Sequence, residues 1–421
     1  MGSGQQSWSR QLAILWAGQF SMISGVTIVY PFMPLLVQTT GVHDPGAIAL
    51  WSGAMFTISQ TAVAIFSPVW GRMADRIGRK PMLVRAMCGV GFFLILSGYA
   101  PNVYALFAVR FFTGALAGTG AAANALVAST APPERVANSL GVIQSGSSIG
   151  SIVGPGLGAV LVPLIGIRNA FAVAGVMCIL AGIWTAAGVD ERFVRPERGI
   201  RRPRAMAVMR LEGVGRTVFT LIVLAMLAQS ISIGLTPVTP LRTAHLADSH
   251  HIAASVGAIA AVQAFCTALA ALTVARVARR AGYRITLVAA ALWTATAYLL
   301  IGLAPSLAAM LVFTAMVGFG TGALVPSINT LLGRTAPLQV RAEIFGYSQS
   351  LQAMAGAVSP LLATSLVARY GTPAPFFMAA TVEILVAGWA AMRIAARIRP
   401  LPAAVTAVSP AVLPAVPGDG A

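Results

Sequence analysis

Charge is what this chain has least of. Of 421 residues, 9% are charged, where soluble domains carry about a quarter. The shortage is steepest for acids, 11 against 28 lysines and arginines. Too few polar side chains are present to coat a solvated surface, which excludes an ordinary soluble domain. Cysteine is nearly absent. Cys88, Cys178 and Cys266 fall inside apolar runs, with no metal-binding spacing between them, so they are read as small buried hydrophobes. Histidine is confined to His43, His245, His250 and His251, all in loops. These are read as solvated, and His250-His251 lacks a third ligand. No nucleophile–His–acid arrangement and no phosphate-binding loop can be assembled, so catalysis is not expected, nor a cofactor or metal. Ten-residue strands of alternating polarity, the mark of a membrane barrel, are missing too.

What is present is apolar length. The chain is 57% hydrophobic. Long apolar runs occur at about 11–37, 47–70, 83–101, 104–129, 137–164, 169–189, 218–241, 252–275, 285–303, 307–332, 344–368 and 374–395. In hydrocarbon the backbone must satisfy itself, so each run is predicted to be a transmembrane helix. The first is too long for the core of a cleavable signal. The predicted domains are a short N-terminus (1–10), a six-helix bundle (11–189), a basic linker (190–217), a second bundle (218–395) and a disordered Pro/Ala/Val-rich tail (396–421).

The net charge of +17 invites a nucleic-acid reading, but the cations sit elsewhere than on one solvated face. Nearly all fall on one side of the predicted membrane. Only Arg168, Arg242 and Arg369 fall on the other, and Arg110 lies within a span. By the positive-inside rule the basic side, with both termini, is cytoplasmic. The expected partners are therefore membrane lipid and a small molecule, not nucleic acid.

The two halves repeat. Pro31-Phe32-Met33-Pro34 matches Pro237-Val238-Thr239-Pro240. Ala100-Pro101, Gly114 and Gly118 match Ala304-Pro305, Gly318 and Gly322. Gly141, Gln144-Ser145 and Pro155 match Gly346, Gln349-Ser350 and Pro360. The offset stays within 204 to 206 residues. Two parallel six-span repeats predict an all-α transporter fold with its site between the halves, near the midplane.

Between the second and third runs lies Gly71-Arg72-Met73-Ala74-Asp75-Arg76-Ile77-Gly78-Arg79-Lys80-Pro81-Met82-Leu83. Its cations suit a membrane-surface loop. This stretch resembles the loop signature of the major facilitator superfamily, with Met73 as the only departure. Ser24-Gly25 before Pro31–Pro34, Arg110 with Gly114, and Gly150–Gly158 are similar to motifs of its twelve-span drug:proton antiporter branch. Ala159 stands where that branch usually has a second glycine. Asn124–Ala128, Ala323–Pro326 and Phe345–Ser350 look most like multidrug exporters of the MdtG type, with tetracycline exporters more distant.

The resemblance implies a fold of 12 transmembrane helices and proton-coupled export of amphipathic molecules by alternating access, from a bacterial cytoplasmic membrane, as a monomer. It implies that Gly71 lets the second span approach the eleventh, and that Asp75 meets amides there with Arg79 and Arg135 as charge partners. The second copy of the loop keeps Gly282 and the cations but replaces Gly71 by Ala275 and Asp75 by Arg279. So Arg76, Lys80 and the other cations read as topology, and the Gly/Asp pair as a gate, with Gly78 at the turn.

Gly146, Gly150, Gly154 and Gly158 share one face of the fifth helix, and Pro155 should bend it. The resemblance implies that they form a flexible contact between the bundles, closing the outer side. Packing within one bundle is the alternative. Arg110 is a costly mid-span cation that must face a cavity or a partner. The first span carries no acid, although many relatives hold the proton there. Only Glu383, in the twelfth span, is a mid-membrane carboxylate, hence a coupling candidate. The cavity candidates are Gln19, Tyr30, Arg110, Asn124, Gln144, Gln229, Gln263, Asn329, Tyr347 and Gln352, with Phe20, Met22, Phe111, Met226 and Phe265 as softer contacts. A dedicated metabolite exporter, an organic-anion symporter and a non-transporting membrane sensor remain open.

Overall fold

The computed structural model describes residues 2–191, 214–248, 251–336 and 341–393. Residues 192–213 of the predicted linker and the predicted tail lie outside that range. Fifteen helices are described, and twelve stretches are long and apolar enough to cross a membrane. The N-terminal half holds α1 (Gly2–Val29), α2 (Met33–Gln38), α3 (Pro45–Ile77), α4 (Arg79–Gly98), α5 (Val103–Leu116), α6 (Thr119–Thr130), α7 (Val136–Ile165) and α8 (Ile167–Gly188). The C-terminal half holds α9 (Val214–Gly234), α10 (Val238–Leu246), α11 (Ile252–Ala281), α12 (Tyr283–Gly302), α13 (Leu307–Thr335), α14 (Arg341–Tyr370) and α15 (Ala374–Arg393). The chain is a multi-pass membrane protein.

Three spans depart from the predicted continuous helices, each for a local reason. The first breaks into a 3-10 turn at Tyr30–Phe32, where Pro31 and Pro34 cannot donate backbone hydrogen bonds. The seventh breaks at the matching Pro237, so the proline repeat marks a helix break in both halves. The fourth breaks at Ala117-Gly118, where Gly118 takes φ +112°. The loop also shrinks. Helix α3 runs on through Gly71 and Asp75 to Ile77, and only Gly78, at φ +106°, turns the chain into α4. Gly282, at φ +91°, does the same between α11 and α12. Both positions need a residue without a Cβ at positive φ.

The glycines of α7 settle into one register against α1. A Cβ on Gly146 would lie 3.0 Å from the Trp16 carbonyl oxygen, and one on Gly150 2.7 Å from that of Phe20. One on Gly154 would lie 2.7 Å from the Ser24 carbonyl, and one on Gly158 2.6 Å from that of Ile28. Both series advance by four, so two parallel helices touch backbone to backbone for three turns. Thr27 Oγ1 donates to the Gly150 carbonyl at 3.3 Å, and Trp16 Nε1 to Ser145 Oγ at 3.1 Å. The predicted inter-bundle role of this face is thereby corrected: it packs inside the first bundle. The contact across the bundles falls on the neighbouring face of α7, where a Cβ on Gly257 would lie 2.9 Å from the Ala159 nitrogen.

Among the described residues, the close contacts between the bundles gather at one end. There Phe32 and Val162 share an apolar cluster with Val256. Ala49 of α3 is buried among residues of the second bundle. A Cβ on Gly53 would lie 2.9 Å from the Pro360 carbonyl. At the basic end, Gly71, Gly141 and Gly346 have open space around them. The cleft is closed at the end bearing His43 and open at the end bearing the arginines.

Replacing Gly154 with leucine forces α7 off α1 and should cost about 1–3 kcal/mol, as overpacking does. The melting temperature in detergent is expected to fall by several degrees. Gly141→Leu, on the open face, is expected to melt with wild type. Equal melting of both variants would remove the glycine register as the cause.

Candidate functional site

Arg110 is placed by α5 lying hard against α3. Gly114, one turn on, leaves no room for a Cβ beside Ser59, and Ser59 Oγ donates to the Arg110 carbonyl at 3.0 Å. The side chain is 3% exposed. Its Nε and Nη2 have no hydrogen-bond partner, and its guanidinium stands 5.6 Å from the Phe171 ring centroid. It lines a cavity of about 170 Å³ with Tyr30, Met22, Met55, Phe56 and Gln60. Tyr30 is held edge-on to Phe56, ring centroids 5.3 Å apart, and lies within electrostatic reach of Arg110. One uncompensated cation, a phenol, an amide and methionines make an environment for an amphipathic guest with electron-rich or anionic character.

A second cavity, about 150 Å³, sits at the closed end. Pro31 enters it from the first bundle. Its polar lining includes Ser232, Thr239, Thr243, Gln263, Tyr298 and Thr314. Of the predicted cavity residues, the structure brings Tyr30 and Arg110 together in the first cavity and Gln263 to the second. Gln19 is 1% exposed with Oε1 unpartnered. Gln229, Asn329 and Gln352 are half-buried, and Asn124, Gln144 and Tyr347 are exposed. None of these seven lines either cavity. Phe265, counted among the softer contacts, is 62% exposed.

The gate residues lie at the open end. Gly71 is exposed and touches nothing from α14, so the approach of the second and eleventh spans predicted there occurs instead at Gly53. The bundles lean together at the opposite end, which separates these helix ends. The Asp75 side chain is outside the described residues. Arg76 is exposed, and Arg79, Lys80 and Arg135 are half-buried.

A residue unsuspected in this role organises the turn. Glu191 accepts from the Arg79 N–H through Oε1 and from the Lys80 N–H through Oε2, each at 2.8 Å. A carboxylate there satisfies two orphan donors and meets the positive end of the α4 dipole. The signal was present: Gly78 at the N-cap has no side chain, and Glu191 follows α8, the span packed against α4. Arg85 stacks 3.6 Å from the Trp70 ring centroid, while Trp70 Nε1 donates to the Ala115 carbonyl at 2.6 Å.

Twelve spans in two repeated bundles, with a cleft closed at one end and a buried arginine, Arg110, lining a cavity, define a two-bundle membrane transporter. Residues 15–247 and 218–417 match the Major Facilitator Superfamily model, and the chain belongs to that superfamily. It is 30% identical over 376 residues to the multi-drug resistance efflux pump PmrA of Streptococcus pneumoniae serotype 4, covering 88% of this chain and 92% of that one. It is also 30% identical over 390 residues to the multidrug resistance protein MdtG of Escherichia fergusonii, covering 92% and 95%. Among solved structures, a bacterial homolog of the human lysosomal transporter Spinster, inward-facing and occupied, superposes with a TM-score of 0.74. It is 15% identical, with 93% of this chain and 97% of that one covered. A D-xylose–proton symporter superposes at 0.73 and is 16% identical, covering 92% and 98%. These two likenesses establish the fold alone.

Removing the Glu191 clamp leaves two helix-terminal amides without a protein acceptor. Glu191→Ala is expected to cost about 1–2 kcal/mol, the scale of a lost N-cap, read as a lower melting temperature. Glu191→Gln, which keeps one acceptor oxygen, is expected to lie between. An unchanged melt in both variants would show that water replaces the carboxylate without loss.

Proposed function

We propose that the protein is a proton-coupled secondary-active exporter of amphipathic small molecules, working by alternating access of its two bundles. The observation that carries this reading is the cleft. It is closed at one end by Phe32, Val162 and Val256 and open at the basic end. That is one of the two states such a cycle requires. By the positive-inside rule the open end faces the cytoplasm, where an exporter must load. The placement follows: a bacterial cytoplasmic membrane, both termini inside, a monomer sufficient for transport. The named relatives, multidrug efflux pumps at 30% identity over most of the chain, support the substrate class.

The cavity around Arg110 fits that role. Methionines and aromatic edges accept guests of varied shape, and the cation adds one electrostatic preference. That same unpartnered guanidinium favours a second reading, a symporter of organic anions, which differs in the direction of flux. The proton is the coupling ion in both.

Cells lacking their own exporters are expected to survive several unrelated amphipathic compounds when this chain is produced. An uncoupler should abolish that protection. Protection that persists after the gradient collapses would overturn proton coupling, and gradient-driven uptake would select the symporter. Arg110→Ala is expected to lower efflux at least tenfold with normal membrane insertion. Full activity in that variant would remove Arg110 from transport.

A further inference from the structure

We propose that the coupling proton is held by Glu383, and that it reaches this carboxylate through Tyr298 from the cavity at the closed end of the cleft. The inference rests on the proton-coupled reading above and assigns its proton site, which lies in the second bundle and not in the acid-free first span.

Glu383 is the tenth of the 20 residues of α15, so it sits at mid-membrane. It belongs to the stripe Phe376, Ala379, Ala380, Glu383, Val386, Ala387 that α15 buries against the bundle. Two apolar clusters meet here. Phe376, Ala379 and Ala380 belong to one, Val386 and Ala387 to the other. The carboxyl is in the seam, 1% exposed, with Oε2 lacking a hydrogen-bond partner. A permanent carboxylate in that place would be strongly disfavoured, and a carboxyl kept only for packing would be replaced at no loss by an apolar residue.

The groups around it are few. From α12 comes Tyr298, within electrostatic reach of Glu383. The other titratable residues of α12, Tyr283 and Arg284, stand at its opposite end, where Arg284 donates to the Ala391 carbonyl. Arg216 opens α9. On α14, Tyr347 lies near the start, and Arg369 stacks on Tyr370 at the far end. The side chains of Arg341 and Glu343 are outside the described residues. Arg393 ends α15 itself. Among the described residues no cation neutralises Glu383, so a proton is the species that can.

Tyr298 supplies the way in. It is 3% exposed yet lines the closed-end cavity. It shares that wall with Thr314, whose Oγ1 has no partner, and with Phe376, two turns above Glu383 on the same stripe. The step is a proton relay. A hydronium ion entering the cavity from the outer side gives a proton to the phenol oxygen as the phenol O–H proton passes to a Glu383 oxygen. One O–H bond forms on the carboxyl, one breaks on hydronium to leave neutral water, and the phenol is restored.

Two measurements on the full chain test this. Purified wild type in detergent is treated with a hydrophobic carbodiimide, which modifies only a protonated carboxyl, and modification is mapped by mass spectrometry. Labelling at Glu383 is expected to fall at least fivefold as pH rises from 6 to 10. Labelling that is absent throughout, or unchanged with pH, would overturn the assignment. In proteoliposomes loaded with ethidium, Glu383→Gln is expected to lose gradient-driven flux at least tenfold. Ethidium exchange without a gradient should stay within twofold, which a misfolded variant could not do. Tyr298→Phe should slow gradient-driven flux several-fold and leave exchange intact. Gradient-driven flux in Glu383→Gln within twofold of wild type would overturn the Glu383 assignment alone. Wild-type flux that ignores the gradient would overturn the proton-coupled reading and this proposal with it. Wild-type vesicles that move no ethidium would count against multidrug export, while the labelling result would still decide the proton site.

Discussion

Close backbone approach holds this molecule together. In lipid a leucine gains nothing by leaving the hydrocarbon, so helices associate through packing and through polar contacts that small residues permit. The register of α7 on α1 is the clearest case, with glycines 146, 150, 154 and 158 each set against a carbonyl of α1. It packs α7 and α1 tightly within the first bundle. Gly318 and Gly322 do the same for α13 against α11, lying on the backbone at Gln263 and Thr267.

The contact between the bundles adds an apolar plug of Phe32, Val162 and Val256 to backbone approaches of the same kind, Gly257 at Ala159 and Gly53 at the Pro360 carbonyl. Polar groups with no partner, on Arg110 and Glu383, lie inside the bundles, where each faces or adjoins a cavity.

The twelve spans and the repeat were legible because hydrophobic length and proline–glycine placement are local signals. Pro31 and Pro237 were legible as a repeat, and only the structure showed that each also breaks its helix. The end of α3 was misjudged because cations look like loop, whereas a helix can carry Arg72 and Arg76 beyond the hydrocarbon and stop at Gly78. The glycine face was legible as a packing face, but which helix it met was not. That depends on the rotation of α7, and a one-residue turn would have aimed it across the cleft. Glu191 and Tyr298 were missed because each acts through a neighbour distant in sequence: the α4 amides in one case, and Glu383 with a cavity in the other.

Sequence alone determined the class of molecule. Span length, loop charge and an internal offset are properties of the chain measured along itself, and lipid enforces them without reference to partners. Tertiary structure decided which faces meet, which end of the cleft is shut, and which polar groups remain unsatisfied. Those follow from helix rotation and tilt, quantities to which hydropathy is nearly blind because lipid and bundle interior are both apolar. A glutamine or a glycine reads the same in either place until the neighbouring helix is seen.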